Sequence, residues 1–187
     1  QGFGRRSLAM TESEVYASVL YQIGALQAFA RAAGSRLRHV KPHGALYNDA
    51  ARDSAKAIGI ARAVKAAGSG LVLVGLPGCE LEKAAAGVGI PYAREFFADR
   101  AYLDDGGLVP RSRPDSVILD KDTCVARTLR AVLEGTVVTA GGAVVPVRPD
   151  TVCLHGDNPE ALAFAAALRA ALEAKGIAVR PAGPQPA

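Results

Sequence analysis

Between residues 11 and 34 the apolar positions Val15, Val19, Leu20, Ile23, Leu26 and Phe29 recur at the spacing of one helical face. The stretch opens with Thr-x-x-Glu and closes at a glycine, which predicts a capped helix. LRHVK (37–41) is short, apolar in its middle, and reads as a strand; the polar PHGALYND follows, then a second helical pattern over 49–67, ended by Gly68. The alternation recurs: LVLVG (71–75) predicts a buried strand, 79–88 a short helix, 90–97 a strand, 116–119 a strand and 123–134 a helix. Residues 136–147 break this rhythm, with β-branched positions on both sides of Ala140-Gly141-Gly142, and predict a hairpin. Residues 151–155 read as a strand and 159–175 as an alanine-rich helix started by Asn158-Pro159. A last strand is expected at 177–180, before a Pro/Ala tail that frays.

Strands alternating with helices imply an α/β fold with a parallel sheet, which either a (β/α) barrel or an open doubly wound sheet satisfies. A chain of 187 residues is sized for a single domain, because folding at this length buries roughly 70% of the unfolded surface. Half of the residues are hydrophobic and 21% are charged, a globular composition. The longest apolar run, 71–77, falls far short of the ~20 residues that span a bilayer, and no signal segment opens the chain. A soluble, cytoplasmic protein is expected. Cys79, Cys124 and Cys153 are widely spaced and odd in number, so inert thiols are expected rather than a disulfide framework or zinc knuckle. The net charge of +4 is spread along the chain and aromatics are 5% with no tryptophan, unlike a nucleic-acid-binding surface. The start at Gln1, inside a dense Gly-Phe-Gly-Arg-Arg stretch, suggests a fragment.

In α/β folds chemistry collects where strands end and loops begin. LRHVK runs into Lys41-Pro42-His43-Gly44, the 90–97 strand carries Glu95 and runs into Asp99 and Arg100, and TVCLH runs into His155-Gly156-Asp157-Asn158. If these ends meet, two imidazoles, several carboxylates, a lysine and an arginine share a cleft suited to acid–base work or to holding an anion. His155 reads equally well as a residue that caps the next turn, and Asp157 with Asn158 as a helix start. Gly75-Leu76-Pro77-Gly78 lacks the G-x-x-x-x-G-K-[ST] pattern and reads as a plain turn rather than a phosphate loop. Arg5-Arg6 and Arg111-Ser112-Arg113 read first as surface arginines, with an anion clamp as the alternative. His39, opposite in phase to Val40, receives no role. The absence of G-x-S-x-G and H-E-x-x-H, and of any cysteine marked beside a histidine, leaves Ser, Cys and zincin-type hydrolases unsupported.

Six phrases in order, GFGRR (2–6), YQIGAL (21–26), HVKPHGALYN (39–48), FADRAY (97–102), LVPR (108–111) and CLHGDNPEA (153–161), resemble the LamB/YcsF family, the A subunits of bacterial ATP-dependent 5-oxoprolinase. The resemblance covers nearly the whole chain. It implies an irregular (β/α) TIM-like barrel of the glycoside hydrolase/deacetylase type. Family members carry segments like D-L-N-C-D-L-G-E, A-C-G-F-H-x-G-D-P and I-G-A-H-P-S-Y-P-D upstream of GFGRR. Their absence here implies a barrel missing its first strands and exposing an edge. The implied reaction opens the lactam of 5-oxo-L-proline to L-glutamate, with ATP as cosubstrate, a divalent metal such as Mg²⁺ accompanying it, and B and C subunits as partners. Neither nucleic acid nor membrane is a partner, and a homo-oligomer is a further expectation.

For that reaction Lys41 and Arg100 are expected to meet carboxylate or phosphoryl oxygens, with Asn48 and Arg111, inside the matched motifs, as second-tier candidates. His43 and His155 are proton-transfer groups and candidate metal contacts, Asp99 and Asp157 orient them or bind a cation, and Glu95 is a base for water. Two other readings are a non-catalytic binding or scaffolding subunit of that complex and a metal-dependent deacetylase-like hydrolase.

Overall fold

Thr11 starts helix α1 (Glu12–Ala32) with a complete capping box: its hydroxyl accepts the Glu14 N–H, and the Glu14 carboxylate accepts the Thr11 N–H at 2.8 Å. The structure, a computed structural model, describes residues 4–156 and 159–181. The chain divides into two compact units at Ala93/Arg94.

In the first unit α1 buries Val15, Val19 and Ile23, and β1 (His39–Val40), α2 (Ala45–Ala50), α3 (Ser54–Ala67), β2 (Val72–Gly75) and α4 (Glu80–Val88) follow. The expected helix over 49–67 is two helices. Asp53 stands at the break as N-cap of α3, its carboxylate accepting the Lys56 N–H at 3.1 Å, while the apolar periodicity runs on across the interruption. Gly59 lets α3 lie against α1, since a Cβ there would meet the Glu12 carbonyl oxygen at 2.6 Å. Ile60, Val64, Leu73 and Leu81 are fully enclosed in this core, each contributing about 1.5–3 kcal/mol by leaving water. β1 pairs in parallel with β2, His39 opposite Val72 and Val40 opposite Leu73, with α2 and α3 as the crossover.

The unit boundary lies inside β3 (Tyr92–Phe97), and the second unit holds α5 (Lys121–Glu134), β4 (Thr136–Val138), β5 (Val144–Pro146), β6 (Thr151–Cys153) and α6 (Ala161–Ala174). β3 pairs in parallel with β6, Glu95 opposite Thr151 and Phe97 opposite Cys153. β4 and β5 form the expected antiparallel hairpin, turned at Gly142 with φ +88°. Asp120 caps α5 through the Thr123 N–H, and Gly135 ends that helix at φ +69°.

The second unit corrects four expectations. Residues 116–119 are not a strand: Pro114–Ser116 is a short 3₁₀ turn, and Val117 makes one isolated bridge to Arg100. Residues 177–180 are not a strand, because Gly176 reverses the chain at φ +75° and the Ile177 N–H returns to the Leu172 carbonyl. α6 starts at Ala161, after Glu160, rather than at Pro159; the expected cap Asn158 lies outside the described residues. β6 stops at Cys153, since the His155 N–H leaves the ladder for a carboxylate. The fold is α/β with parallel strand pairs, and no helix among the described residues is long and apolar enough to cross a membrane.

Candidate functional site

Two residues beyond β3 Asp99 is 2% exposed, and two beyond β6 stands His155. One Asp99 oxygen accepts the His155 backbone N–H at 2.9 Å, and both lie 2.9 Å from His155 Nδ1. Burial by itself raises the Asp99 carboxyl, but the ring and backbone bonds from His155 outweigh it and hold the group below its ordinary range. An ionised Asp99 fixes the proton on Nδ1, so Nε2 is the ring's proton acceptor. Phe97 stacks on the imidazole at 5.6 Å between centroids.

The loop that carries Asp99 is held at nearly every step. The Ala98 N–H donates to the Cys153 carbonyl, and Ile118 donates to the Asp99 carbonyl. Arg127 on α5 donates to the carbonyls of Ala98 and Arg100 at 2.9 and 3.0 Å, with its guanidinium 5.7 Å from the Phe96 ring centroid. Burial lowers the Arg127 pKa. Tyr102 receives the Phe97 N–H on its hydroxyl oxygen at 2.8 Å, and burial pushes its phenol well up. Arg127 and Tyr102 were given no role in the sequence. The available signal was a cation set among Cys124, Thr128 and Ala131 on the buried face of α5.

Arg100, 6% exposed, donates from Nε to the Ser116 carbonyl at 3.1 Å and from Nη2 to the Val109 carbonyl at 2.6 Å. These bonds tie the strand end to the loop bearing Arg111, which is exposed. Glu95 is buried on β3 opposite Thr151. Asp157 lies outside the described residues. Burial pushes the Cys124 thiol up to about 11, with the Asp99 charge adding to the effect, and Cys79, Cys124 and Cys153 are all unlinked.

In the first unit the loop after β1 carries Lys41, Pro42, His43 and Gly44. Lys41 Nζ sits 5.7 Å from the Tyr47 ring centroid, and His43 is exposed. Asn48 donates to the Gly44 carbonyl at 3.1 Å and so braces the loop. Lys41 and His43 line a cavity of about 730 Å³ together with His39. At Gly75-Leu76-Pro77-Gly78 the Gly78 N–H donates to the Glu82 carboxylate at 2.7 Å, and Glu80 and Glu82 both occupy the first turn of α4. A carboxylate thus sits where a phosphate would need to bind.

His43 and His155 were also expected as metal contacts. No group of three His, Cys, Asp or Glu side chains among the described residues could hold a metal ion, and both Asp99 oxygens are engaged by His155. The donor set among the described residues does not fit a resident cation, so no step is routed through one.

The sequence profile described as "LamB/YcsF family" matches residues 1–186. The A subunit of a 5-oxoprolinase from Methylococcus capsulatus is 53% identical over 137 residues, covering 73% of this chain and 53% of the relative. Its counterpart from Thermus thermophilus is 55% identical over 136 residues, covering 73% and 54%. The chain therefore spans about half the length of the curated relatives it matches. The crystal structure of a lactam utilization protein, also from Thermus thermophilus, superimposes with a TM-score of 0.86 at 52% identity, covering 96% of this chain and 71% of that one.

Proposed function

Because the chain belongs to the LamB/YcsF family, we propose that it works as the A subunit of an ATP-dependent 5-oxoprolinase, a cytoplasmic hydrolase that opens 5-oxo-L-proline to L-glutamate with B and C subunits. The observation that carries the reading is the buried Asp99 holding His155 by ring and backbone, at the ends of two paired parallel strands. The names of relatives more than half identical supply the substrate. In this reading the parallel strand pairs belong to an irregular (β/α) barrel of the deacetylase type.

The chemistry explains the need for ATP. An unstrained five-membered amide is a poor electrophile. Transfer of the γ-phosphoryl group of ATP to the lactam oxygen releases ADP and makes the ring carbon open to water. Addition of water and cleavage of the ring C–N bond, with a proton delivered to nitrogen, leave an acyl phosphate. A second water hydrolyses it to the glutamate carboxylate and phosphate.

His155 is the proton acceptor for attacking water through Nε2, with Asp99 fixing its tautomer and stabilising the imidazolium that forms. Glu95 is the second base for water, and His43 delivers the proton to the leaving nitrogen. Lys41, Arg100 and Arg111 meet carboxylate and phosphoryl oxygens. Asn48 acts through the loop that bears His43.

Glutamate release from 5-oxoproline, assayed with the full-length protein and its B and C partners, tests the reading. Release that requires both ATP and this subunit supports it. Release without ATP, or equal release without this subunit, contradicts it.

A further inference from the structure

The cavity of about 730 Å³ in the first unit lies within the range of small-molecule sites. Its apolar floor is the buried Val19 and Ile23, with Leu37 half-buried and Leu8 and Leu26 exposed around them. Its charged lining is Arg6, Lys41, Lys56 and one carboxylate, Asp49. Asp49 accepts Lys56 Nζ at 2.9 Å and the Ser7 hydroxyl at 2.8 Å, so Lys56 is balanced by the carboxylate it touches. Arg6 and Lys41 add two further positive charges to the lining.

Arg6 reaches the rim from residues 4–10, a segment with neither strand nor α-helix that is seated at two points. One is the bond from Ser7 to Asp49. The other is Gly4 against Gly44: Gly44 has φ +63°, and a Cβ there would lie 2.1 Å from the Gly4 carbonyl oxygen. Glycine is thus required at position 44 both for its backbone conformation and for the close approach. The seat brings Arg6 to the cavity that Lys41 and His43 also line.

We propose that Arg6 is an oxyanion-binding residue of this cavity. Its guanidinium, with the Lys41 ammonium, holds the carboxylate or phosphoryl oxygens of a small ligand whose apolar body lies on the floor. A guanidinium presents a planar fork that matches both oxyanions, and an apolar floor beneath a cationic rim selects ligands with one charged end. Only the choice of probes rests on the proposed function: 5-oxoproline, ATP and inorganic phosphate carry the oxyanions, and 2-pyrrolidinone is the same lactam without its carboxylate.

Calorimetric titration of the full-length protein with each probe tests the inference. Arg6→Ala is expected to weaken binding of the oxyanion ligand by at least ~10-fold, while 2-pyrrolidinone and the melting temperature stay unchanged. Arg6→Lys is expected to recover part of the loss. Gly44→Ala, which displaces Gly4, is expected to repeat it. Weakening confined to 5-oxoproline assigns the site to the carboxylate, and weakening confined to ATP and phosphate assigns it to phosphoryl oxygens. Wild-type affinity in Arg6→Ala, equal weakening of 2-pyrrolidinone, or no binding of any oxyanion by the wild type overturns the proposal. Glutamate release by the wild-type complex separates the two claims. An active complex that is insensitive to Arg6 sinks this inference alone, and an inactive wild-type complex sinks the functional reading.

Discussion

In the second unit Asp99 and Arg100 are buried and tied to the backbone, Asp99 to a half-buried His155, Arg100 to two carbonyls and their loop to Arg127, while Arg111 is exposed. In the first, Lys41 and His43 stand on a loop that lines a cavity, Lys41 half-buried and His43 and Asn48 exposed. Under the proposed function the contrast follows from what each part would do. A proton acceptor works when its tautomer is fixed before substrate arrives, which takes a buried, ionised partner. A group that meets a ligand entering from water has to stay within reach of it. The comparison predicts that the same kind of substitution costs stability as well as turnover in the second unit, and turnover alone in the first.

The largest effect is expected from Asp99→Ala. Loss of both bonds to His155 lowers glutamate release by at least ~100-fold and costs about 2–3 kcal/mol in denaturant unfolding. His43→Ala lowers release by a comparable factor and leaves the unfolding midpoint in place. If His43→Ala destabilised the protein as much as Asp99→Ala, the comparison would break.

Next comes Arg100→Lys, which keeps the charge and loses the fork that spans Ser116 and Val109. Leaving those carbonyls without their donors costs about 1–3 kcal/mol, read as a drop in melting temperature.

A pH series sharpens the role of Asp99. Its carboxyl is held below the unfolded value of about 3.9, so the folded state favours the ionised form. The resulting stability is complete above that value and is lost as pH falls through the lower folded pKa, because the unfolded chain takes up the proton first. Wild type and Asp99→Asn are expected to differ fully at pH well above the unfolded value and to converge in acid. A difference that grew on acidification would reverse the assignment.

The smallest effect is Thr11→Ala, which removes the α1 capping box far from either set of groups. It costs about 1 kcal/mol and leaves turnover unchanged in a saturating assay.

What the sequence makes legible is what is local. Thr11 and Glu14 announce the start of α1 by their spacing, and the run at 71–75 announces a buried strand by composition. The break between α2 and α3 is hidden, because Asp53 looks like any surface acid while apolar spacing continues past it. Residues 116–119 and 177–180 have the residue types of strands, but a strand also needs a partner; the Ile177 N–H is spent on closing a helix. At the site the residue types were legible and the bonds were not. Asp99 and His155 lie 56 positions apart, and only folding reveals that one carboxylate serves both the ring and the backbone of the same histidine. Arg127 was hidden for the same reason, since a helix cation reads as solvated until two carbonyls are found beneath it.

The most direct test of the central claim is ATP-dependent glutamate release by the complete complex carrying His155→Ala, with folding checked by melting. The account predicts a fall of at least ~100-fold in a subunit that still folds and still joins its partners. Turnover near wild type in that variant would contradict it.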